Sequence, residues 1–485
     1  MISSTSHAEA FPVVRRLPPK FSISEVFPAF ASRTGCLWFD SVPSTDLSLA
    51  SGLSGDSSLP LARYSFLMSD PIDTLIAHCG ANDPWPVLNR WVSRLPLMPR
   101  HDLPPMQGGI AGLIGYEAAT WLESVGLSPN EDFPTPAMSL GLYDWTIATD
   151  HAQKNSWLIS QGFTANNEPK DSPSEREHRA IRRADEIETI IERAMRVAHS
   201  KRESDAVDFE GPSESVTSNF SSEQFRICVS TIIDRIRAGD FFQANLAQRL
   251  LHPETLPPPK LYQRLRAANP APYSVFYHGD GFDVLSSSPE AFLKLSDGTV
   301  ETRPIKGTVP RTGDVANDQI LANGLLQSKK DRAENIMIVD LMRNDLSRVC
   351  TDDSVRVRKL CQIERYQFVQ HLVSIVVGKL RNDQNVVDLL KACFPGGSVT
   401  GAPKIEAMRT IAELEPHRRG PYCGSMGYIS CTGDAEFNIL IRTITSTGGY
   451  WQIPVGGGIT ARSVPEAEET ETWTKAKGLL RALPK

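Results

Sequence analysis

The sequence predicts an α+β fold in which large, mainly antiparallel sheets are packed with helices. Three observations carry this. Beyond residue 220, strand-like runs such as "FDVLSSS", "FVQHLVSIVVGKL", "YCGSMGYISC", "AEFNILIRTIT" and "YWQIPVGGGIT" alternate with segments of helical periodicity. Hairpin-type turns at Thr432-Gly433-Asp434 and Thr447-Gly448-Gly449 favour antiparallel pairing of those runs. Residues 1 to about 160 add short strand-like pieces broken by Gly and Pro: "GCLWFDSV", "RYSFLMSDP", "GGIAGLIGYE" and "MSLGLYDWTIATD". Mixed elements in this order give an α+β class.

The chain has 485 residues, of which 40 % are hydrophobic and 22 % charged, the balance of a globular protein. A net charge of −6, a pI near 6.0 and the lack of a basic stripe exclude nucleic acid as the main partner. The eight cysteines are scattered, with no C-x-x-C pair, and read as small core residues of a reducing compartment. The N-terminus lacks the apolar region of a signal peptide, and no run of about 18 apolar residues exists to span a membrane. A soluble, cytoplasmic protein is expected.

Composition shifts between 165 and 219. There a charged helix, with Ile181, Ile187, Ile190, Ile191 and Met195 on a narrow stripe, is flanked by Ser/Pro/Glu-rich stretches and reads as a surface connector. It separates an N-terminal domain, 1–164, from a denser one, 220–485. The latter opens with a helix bearing Phe225, Val229, Ile232, Ile233 and Ile236, with Ser222 as its cap.

Two helices of this half carry acids where a helix normally avoids them. In "KKDRAENIMIVDLMRND", Asp331 and Glu334 extend the apolar face of Ile338 and Leu341. In "EAEETETWTKAKGLLRALPK", Glu468, Glu471 and Lys475 share a face that runs on into Leu479. Facing each other, these helices would form an oxygen cage for a hard divalent cation, most simply Mg²⁺. A solvated acidic helix start is the alternative for Glu468 and Glu471.

Anion sites are the next candidates. "PVGGGIT" puts Gly456, Gly457 and Gly458 at a strand end, where the backbone can approach a carboxylate. In "GGSVTGAPKIEAM", Thr400 precedes a helix with Pro403 in its first turn. "FNILIRTIT" sets Arg442 in an apolar strand, able to hold an anion bidentately. A bulge, a capped helix and an arginine paired with a nearby acid are the respective alternatives. "RPIKGTVPR" places Lys306 in a Gly/Pro-marked turn, either as a solvated charge or as an amine aimed at an electrophile.

Together "IRAGDFFQANLAQR", "LSSSPEAFLK", "RPIKGT", "DRAENIMIVDLMRNDL", "FPGGSVTGAPKIEAM", "GYISCTGDAEFNILIRT" and "VGGGITARSVPEAEETETWTKA" resemble, in order, the motif series of the chorismate-utilising enzymes. That family includes anthranilate synthase, aminodeoxychorismate synthase, isochorismate synthase and salicylate synthase. The match is strong from about 222 to 485 and thinner in the N-terminal half, through "WFDSV", "RYSFLMSDP" and "GLIGYE". The resemblance implies an anthranilate-synthase-like chorismate-binding fold with an intertwined N-terminal domain.

It also implies roles for residues. Mg²⁺ would hold the ring carboxylate of chorismate, with Glu334 and Glu471 as nearest acids and Asp331 and Glu468 behind them. The second carboxylate would lie against Tyr422, Arg442, Lys475 and the backbone of Gly456, Gly457 and Gly458. His371, in "VQHLVSIVVG", matches a histidine near the C4 hydroxyl that could act as general acid. Members that add water at C2 carry a lysine where this chain has Gln243, which cannot serve as that base. Anthranilate synthases read "PIAGT" where this chain reads "PIKGT". In the aminodeoxychorismate branch the lysine attacks C2 and expels the C4 hydroxyl, and ammonia then displaces it at C4.

Lys306 is therefore read as a covalent nucleophile, with Glu290, in "SSSPEAF", handling protons beside it. No cysteine sits in a G-x-C-x-G context, and the sequence does not run on past "LLRALPK" into a lyase domain. Ammonia is accordingly expected from a separate glutaminase subunit. The resemblance also implies that the N-terminal half can hold a tryptophan, through "CLWFDSV" and "NPAPYSVF". Anthranilate synthesis and a catalytically silent subunit that binds chorismate or tryptophan are the alternatives.

Overall fold

The computed structural model describes residues 11–41, 63–165, 172–200, 216–366 and 369–484, with the side chains of 199 and 200 left aside. The extreme N-terminus and the polar stretch after the charged helix, both used in the sequence reading, lie largely outside those ranges.

Two antiparallel sheets dominate, as the α+β class requires. One has twelve strands and the other ten among the described residues. Each draws strands from both halves of the chain. Leu37–Asp40 pairs with Tyr273–His278 in the larger sheet, and Gly109–Ile114 pairs with Ser425–Ser430 in the smaller. The two halves are thus intertwined by backbone hydrogen bonding. Both expected hairpins form, at 430–435 and 447–450.

The facing surfaces interdigitate through Phe66, Leu113, Tyr143, Val275, Val284, Met426 and Leu440. Helices cover the outer faces: Ile338, Met342 and Leu346 pack on the smaller sheet, and Ile187, Leu261 and Leu479 on the larger. Burying these apolar stripes drives the layering. Six of the eight cysteines are buried and all are free thiols.

Besides the passage from Tyr64–Met68 to Asp73–Ala77, the chain passes directly from one sheet to the other at three places. "MSLGLYDWTIATD" is not one strand but two: Met138–Tyr143 lies in the smaller sheet and Trp145–Asp150 in the larger, with buried Asp144 between them. The second crossing separates Asp283–Ser288 from Ala291–Ser296 and carries Glu290. The third separates Ala435–Asn438 from Thr443–Thr447 and carries Arg442. Ile439 N–H donates to the Glu290 carbonyl at 3.0 Å, and Ser288 Oγ donates to the Ile439 carbonyl at 2.5 Å. The second and third crossings are therefore stitched together.

The charged helix Pro173–Ser200 does lie across the outside, burying Ala180, Ala184, Ile187 and Ile191, with Arg15 paired to Asp185 and Glu188. Ile181 instead faces solvent. The cap of the helix Ser222–Ala238 is Ser221, not Ser222: its hydroxyl and Gln224 form a reciprocal capping box.

Candidate active site

Lys306 does not sit in a turn. It lies on the strand Ile305–Pro310, paired with Val369–Lys379, and the register slips between Lys306 and Thr308. Gly307 makes that bulge with φ 77°, and a β-carbon there would come 2.6 Å from Leu325 Cδ1 and 3.0 Å from Asp331 Cγ. Lys306 pairs with Leu372 and Thr308 with His371, so the bulge sets Thr308 rather than Gly307 opposite His371.

Lys306 is half-buried, and Nζ donates to the Ser398 carbonyl at 3.2 Å. Burial lowers its pKa and Lys475 adds to the effect, while Glu334, Glu290 and Glu471 oppose it. Glu290 is buried, and desolvation raises its carboxyl to about 7 against the Ser398 side chain, Lys306, the Ile305 N–H and Arg442. An amine inclined to lose its proton thus faces a carboxylate able to take one.

His371 is buried, with Nδ1 2.8 Å from Thr308 Oγ1 and Nε2 without a hydrogen-bond partner. Burial, with help from Arg442, holds it neutral by pushing its pKa down to about 3. It can donate a hydrogen bond, but imidazolium is not its resting form.

Arg442 lies at the third crossing, in a bend with φ 51°, rather than within a strand. Switching sheets requires a sharp turn that a continuous strand cannot make. Burial lowers its pKa and Glu290 opposes the shift. Among the described residues its guanidinium makes no hydrogen bond or ion pair, which suits it to an incoming anion.

The acids occupy the two expected helices. Asp331 and Glu334 stand on Lys329–Ser347, on the face that continues into buried Ile338. Glu468 and Glu471 stand on Pro465–Leu480. Gly457 shows how closely the second helix approaches: a β-carbon there would lie 3.6 Å from both Glu468 Oε2 and Glu471 Oε1, and 3.5 Å from Lys475 Nζ. Lys330 Nζ spans the two helices, 4.0 Å from Glu334 Oε1 and 3.9 Å from Glu468 Oε1. Lys475 donates to Gly456 O and pairs with Glu471, both at 2.8 Å.

A closed cage is not formed. Among the described residues no three His, Cys, Asp or Glu side chains converge enough to hold a metal ion. Two lysine ammoniums stand among the acids instead. Yet Glu334 Oε1 is buried and accepts no hydrogen bond, with the Lys330 ammonium standing off at 4.0 Å. Burial raises the Glu334 pKa, whereas Lys475 helps hold Glu471 below the usual carboxylate range.

Two anion elements differ from expectation. Gly456, Gly457 and Gly458 lie within the strand Tyr450–Thr460, paired with Ala247, Leu246 and Asn245, rather than past its end. Successive N–H groups of a strand point to opposite edges, so these three cannot converge on one oxygen. Pro403 caps the helix Lys404–Leu414 from outside rather than entering its first turn. Thr400 is buried, and its hydroxyl donates to Gly396 O at 3.1 Å. Tyr422 is buried beside Arg419, 5.9 Å from the guanidinium to the ring centre.

The sequence reading missed Ser398, Thr308 and Lys330. All three act through contacts made only when distant strands and helices meet. Ser398 lay within a quoted motif, two residues from Thr400, but nothing in its spacing set it apart.

Residues 57–481 match the chorismate binding enzyme family, and the chain belongs to that family. It is 38 % identical over 448 residues to aminodeoxychorismate synthase component 1 of Salmonella typhimurium, covering 89 % of this chain and 92 % of that one. It is 36 % identical over 428 residues to anthranilate synthase component 1 of Streptomyces coelicolor, covering 87 % and 81 %. The crystal structure of anthranilate synthase component I from Streptococcus pneumoniae superposes with a TM-score of 0.72 at 30 % identity, covering 89 % and 96 %. No helix among the described residues is long and apolar enough to cross a membrane.

Proposed function

We propose that this chain converts chorismate and ammonia to 4-amino-4-deoxychorismate, with Lys306 as covalent nucleophile. Aminodeoxychorismate synthase component 1 relatives at 35–38 % identity support that branch, with anthranilate synthase component 1 also similar. The structural observation that carries the choice is Lys306 itself, half-buried beside a buried Glu290.

The neutral amine forms a bond to C2, the ring electrons shift, and the C4–oxygen bond breaks. The His371 Nε2–H, with Nδ1 accepting from Thr308, would hydrogen-bond the departing oxygen. The proton lost by the alkylated lysine passes to Glu290. Ammonia then forms a bond to C4 while the Lys306–C2 bond breaks, the lysine taking back the proton held by Glu290 and the new C4 ammonium giving one to the expelled hydroxide. One water is released and no redox change occurs. Arg442, Tyr422 and Lys475 would orient the second carboxylate, together with the open strand edge at Gly456, Gly457 and Gly458.

Mg²⁺ fits the unsatisfied Glu334 oxygen; Glu334 and Glu471 would hold it, with Asp331 and Glu468 behind, and when bound it supplies Lewis-acid polarisation of the ring carboxylate.

Ammonia would come from a separate glutaminase. That these relatives are component 1 of their synthases supports a second subunit. Glutamine-dependent turnover by this chain alone would refute that. An open pocket lined by Phe39, Asp40, Ser41 and Tyr64 together with Tyr273 and Tyr428 supports tryptophan binding where the N-terminal half meets the other. No thermal shift on adding tryptophan would count against it.

The deciding experiment incubates the chain with chorismate, Mg²⁺ and ammonia and identifies the product by mass. Aminodeoxychorismate supports the proposal, anthranilate the rival branch, and unchanged chorismate a silent subunit.

A further inference from the structure

We propose that Asn335 is a positioning residue: its buried amide locks the acid-bearing helix Lys329–Ser347 to the strand of Lys306, and so sets where the nucleophile stands relative to Asp331 and Glu334. The inference rests on reading Lys306 as the nucleophile.

Asn335 follows Glu334 in the chain and belongs to the core-facing stripe that runs on to Ile338 and Met342. It is fully buried. A side-chain amide in such a place costs stability unless its donors and its acceptor are paired, and here all are. Nδ2 donates to the carbonyls of Leu372 at 3.3 Å and Pro304 at 3.5 Å. Oδ1 accepts from Ser374 Oγ and from Cys361 Sγ, the latter at 3.6 Å. Ser374 Oγ in turn accepts from the Cys361 N–H at 2.9 Å. Two carbonyls on one side admit only the NH₂ group, so the amide can sit only one way round.

Those two carbonyls flank the nucleophile. Pro304 sits in the gap between Thr299–Thr302 and Ile305–Pro310, two residues before Lys306, and Leu372 is the residue paired with Lys306. One helical turn before Asn335, Asp331 lies against the bulge, its Cγ 3.0 Å from where a β-carbon on Gly307 would stand. The helix therefore meets the strand on both sides of Lys306, through Asn335 before it and Asp331 after it. The ladder is disrupted here on both edges of Val369–Lys379, between Lys306 and Thr308 on one neighbour and between Lys359 and Gln362 on the other. Ile338, Met342 and Leu346 hold the helix to the sheet, but apolar packing is non-directional and does not by itself fix how far the helix slides along it. The Asn335 amide supplies that direction.

Single-turnover reactions with chorismate and Mg²⁺, ammonia omitted, are quenched over time. Mass spectrometry of the Lys306 peptide then gives the rate constant and the final extent of adduct formation. Asn335→Ala is expected to slow that rate constant by about 10²-fold, the effect of a misplacement of about 1 Å, with the labelled fraction and the Kd for chorismate within about twofold. Ser374→Ala keeps both amide donors and removes the hydroxyl that orients them, and should slow the same step by about fivefold. A purely structural role would instead lower the labelled fraction, through loss of folded protein, and leave the rate constant alone. An unchanged rate constant in Asn335→Ala, with or without a change in labelled fraction or Kd, would overturn the inference. Where Asn335→Ala does not fold, Ser374→Ala decides: a slowed rate constant supports the inference and a wild-type one overturns it. If wild type itself forms no adduct, the nucleophile reading falls and this inference with it; if it does and Asn335→Ala is not slowed, only the role of Asn335 falls.

Discussion

Thr308 Oγ1 stands 2.8 Å from His371 Nδ1, while the opposite ring nitrogen is buried with no partner. One hydroxyl thus occupies one face of the imidazole and leaves the other for substrate. The bulge at Gly307 makes this possible, because without the slip in register Thr308 would not pair with His371.

His371 gives a stability signature. Its pKa is about 3 in the folded chain, below the ordinary value of 6.5, so the unfolded chain takes the proton first. Stability is complete above about pH 6.5 and falls as pH drops toward 3. From pH 6.5 to 5 this group alone costs about 1 to 2 kcal/mol. Urea unfolding of wild type and His371→Asn at both pH values is expected to show a shallower loss in the variant. Activity of His371→Asn should fall by about 10²-fold.

Glu334→Ala and Glu471→Ala should each lower activity by about two orders of magnitude or more, and raise the Mg²⁺ concentration needed for half-maximal rate. Near-wild-type rates in both variants, in the presence of a chelator, would show that the cation site lies elsewhere.

Arg442→Ala should raise KM for chorismate by about tenfold or more. Stability should hold or rise slightly, because the substitution removes a largely buried charge that has no ion-pair partner among the described residues. A large loss of thermal stability with unchanged KM would mark Arg442 as structural.

Much of this was legible before the fold. The i, i+3, i+7 spacing from Asp331 through Glu334 to Ile338 placed two acids on a core-facing stripe, and that is where they stand. Both glycine-marked hairpins were equally plain. The sheet crossings were not. A strand that leaves one sheet and enters another keeps its apolar alternation, so "FNILIRTIT" and "MSLGLYDWTIATD" read as single strands, and Arg442 seemed to lie inside one. Gly307 looked like a turn because a bulge and a turn both call for a left-handed glycine. The lysines among the acids were invisible for a different reason: the contact from Lys330 to Glu468 joins helices more than a hundred residues apart.

The central claim is that Lys306 forms the bond to C2. Lys306→Ala should abolish aminodeoxychorismate formation with ammonia while chorismate still binds, since the side chain makes one hydrogen bond, to a backbone carbonyl. Lys306→Arg should fail as well, because a guanidinium stays protonated and cannot attack. The most direct measurement is mass spectrometry of wild-type enzyme quenched during turnover. The account expects a chorismate-derived adduct on the peptide carrying Lys306, absent from Lys306→Ala. Wild-type turnover by Lys306→Ala, with no adduct on that peptide in either protein, would contradict it.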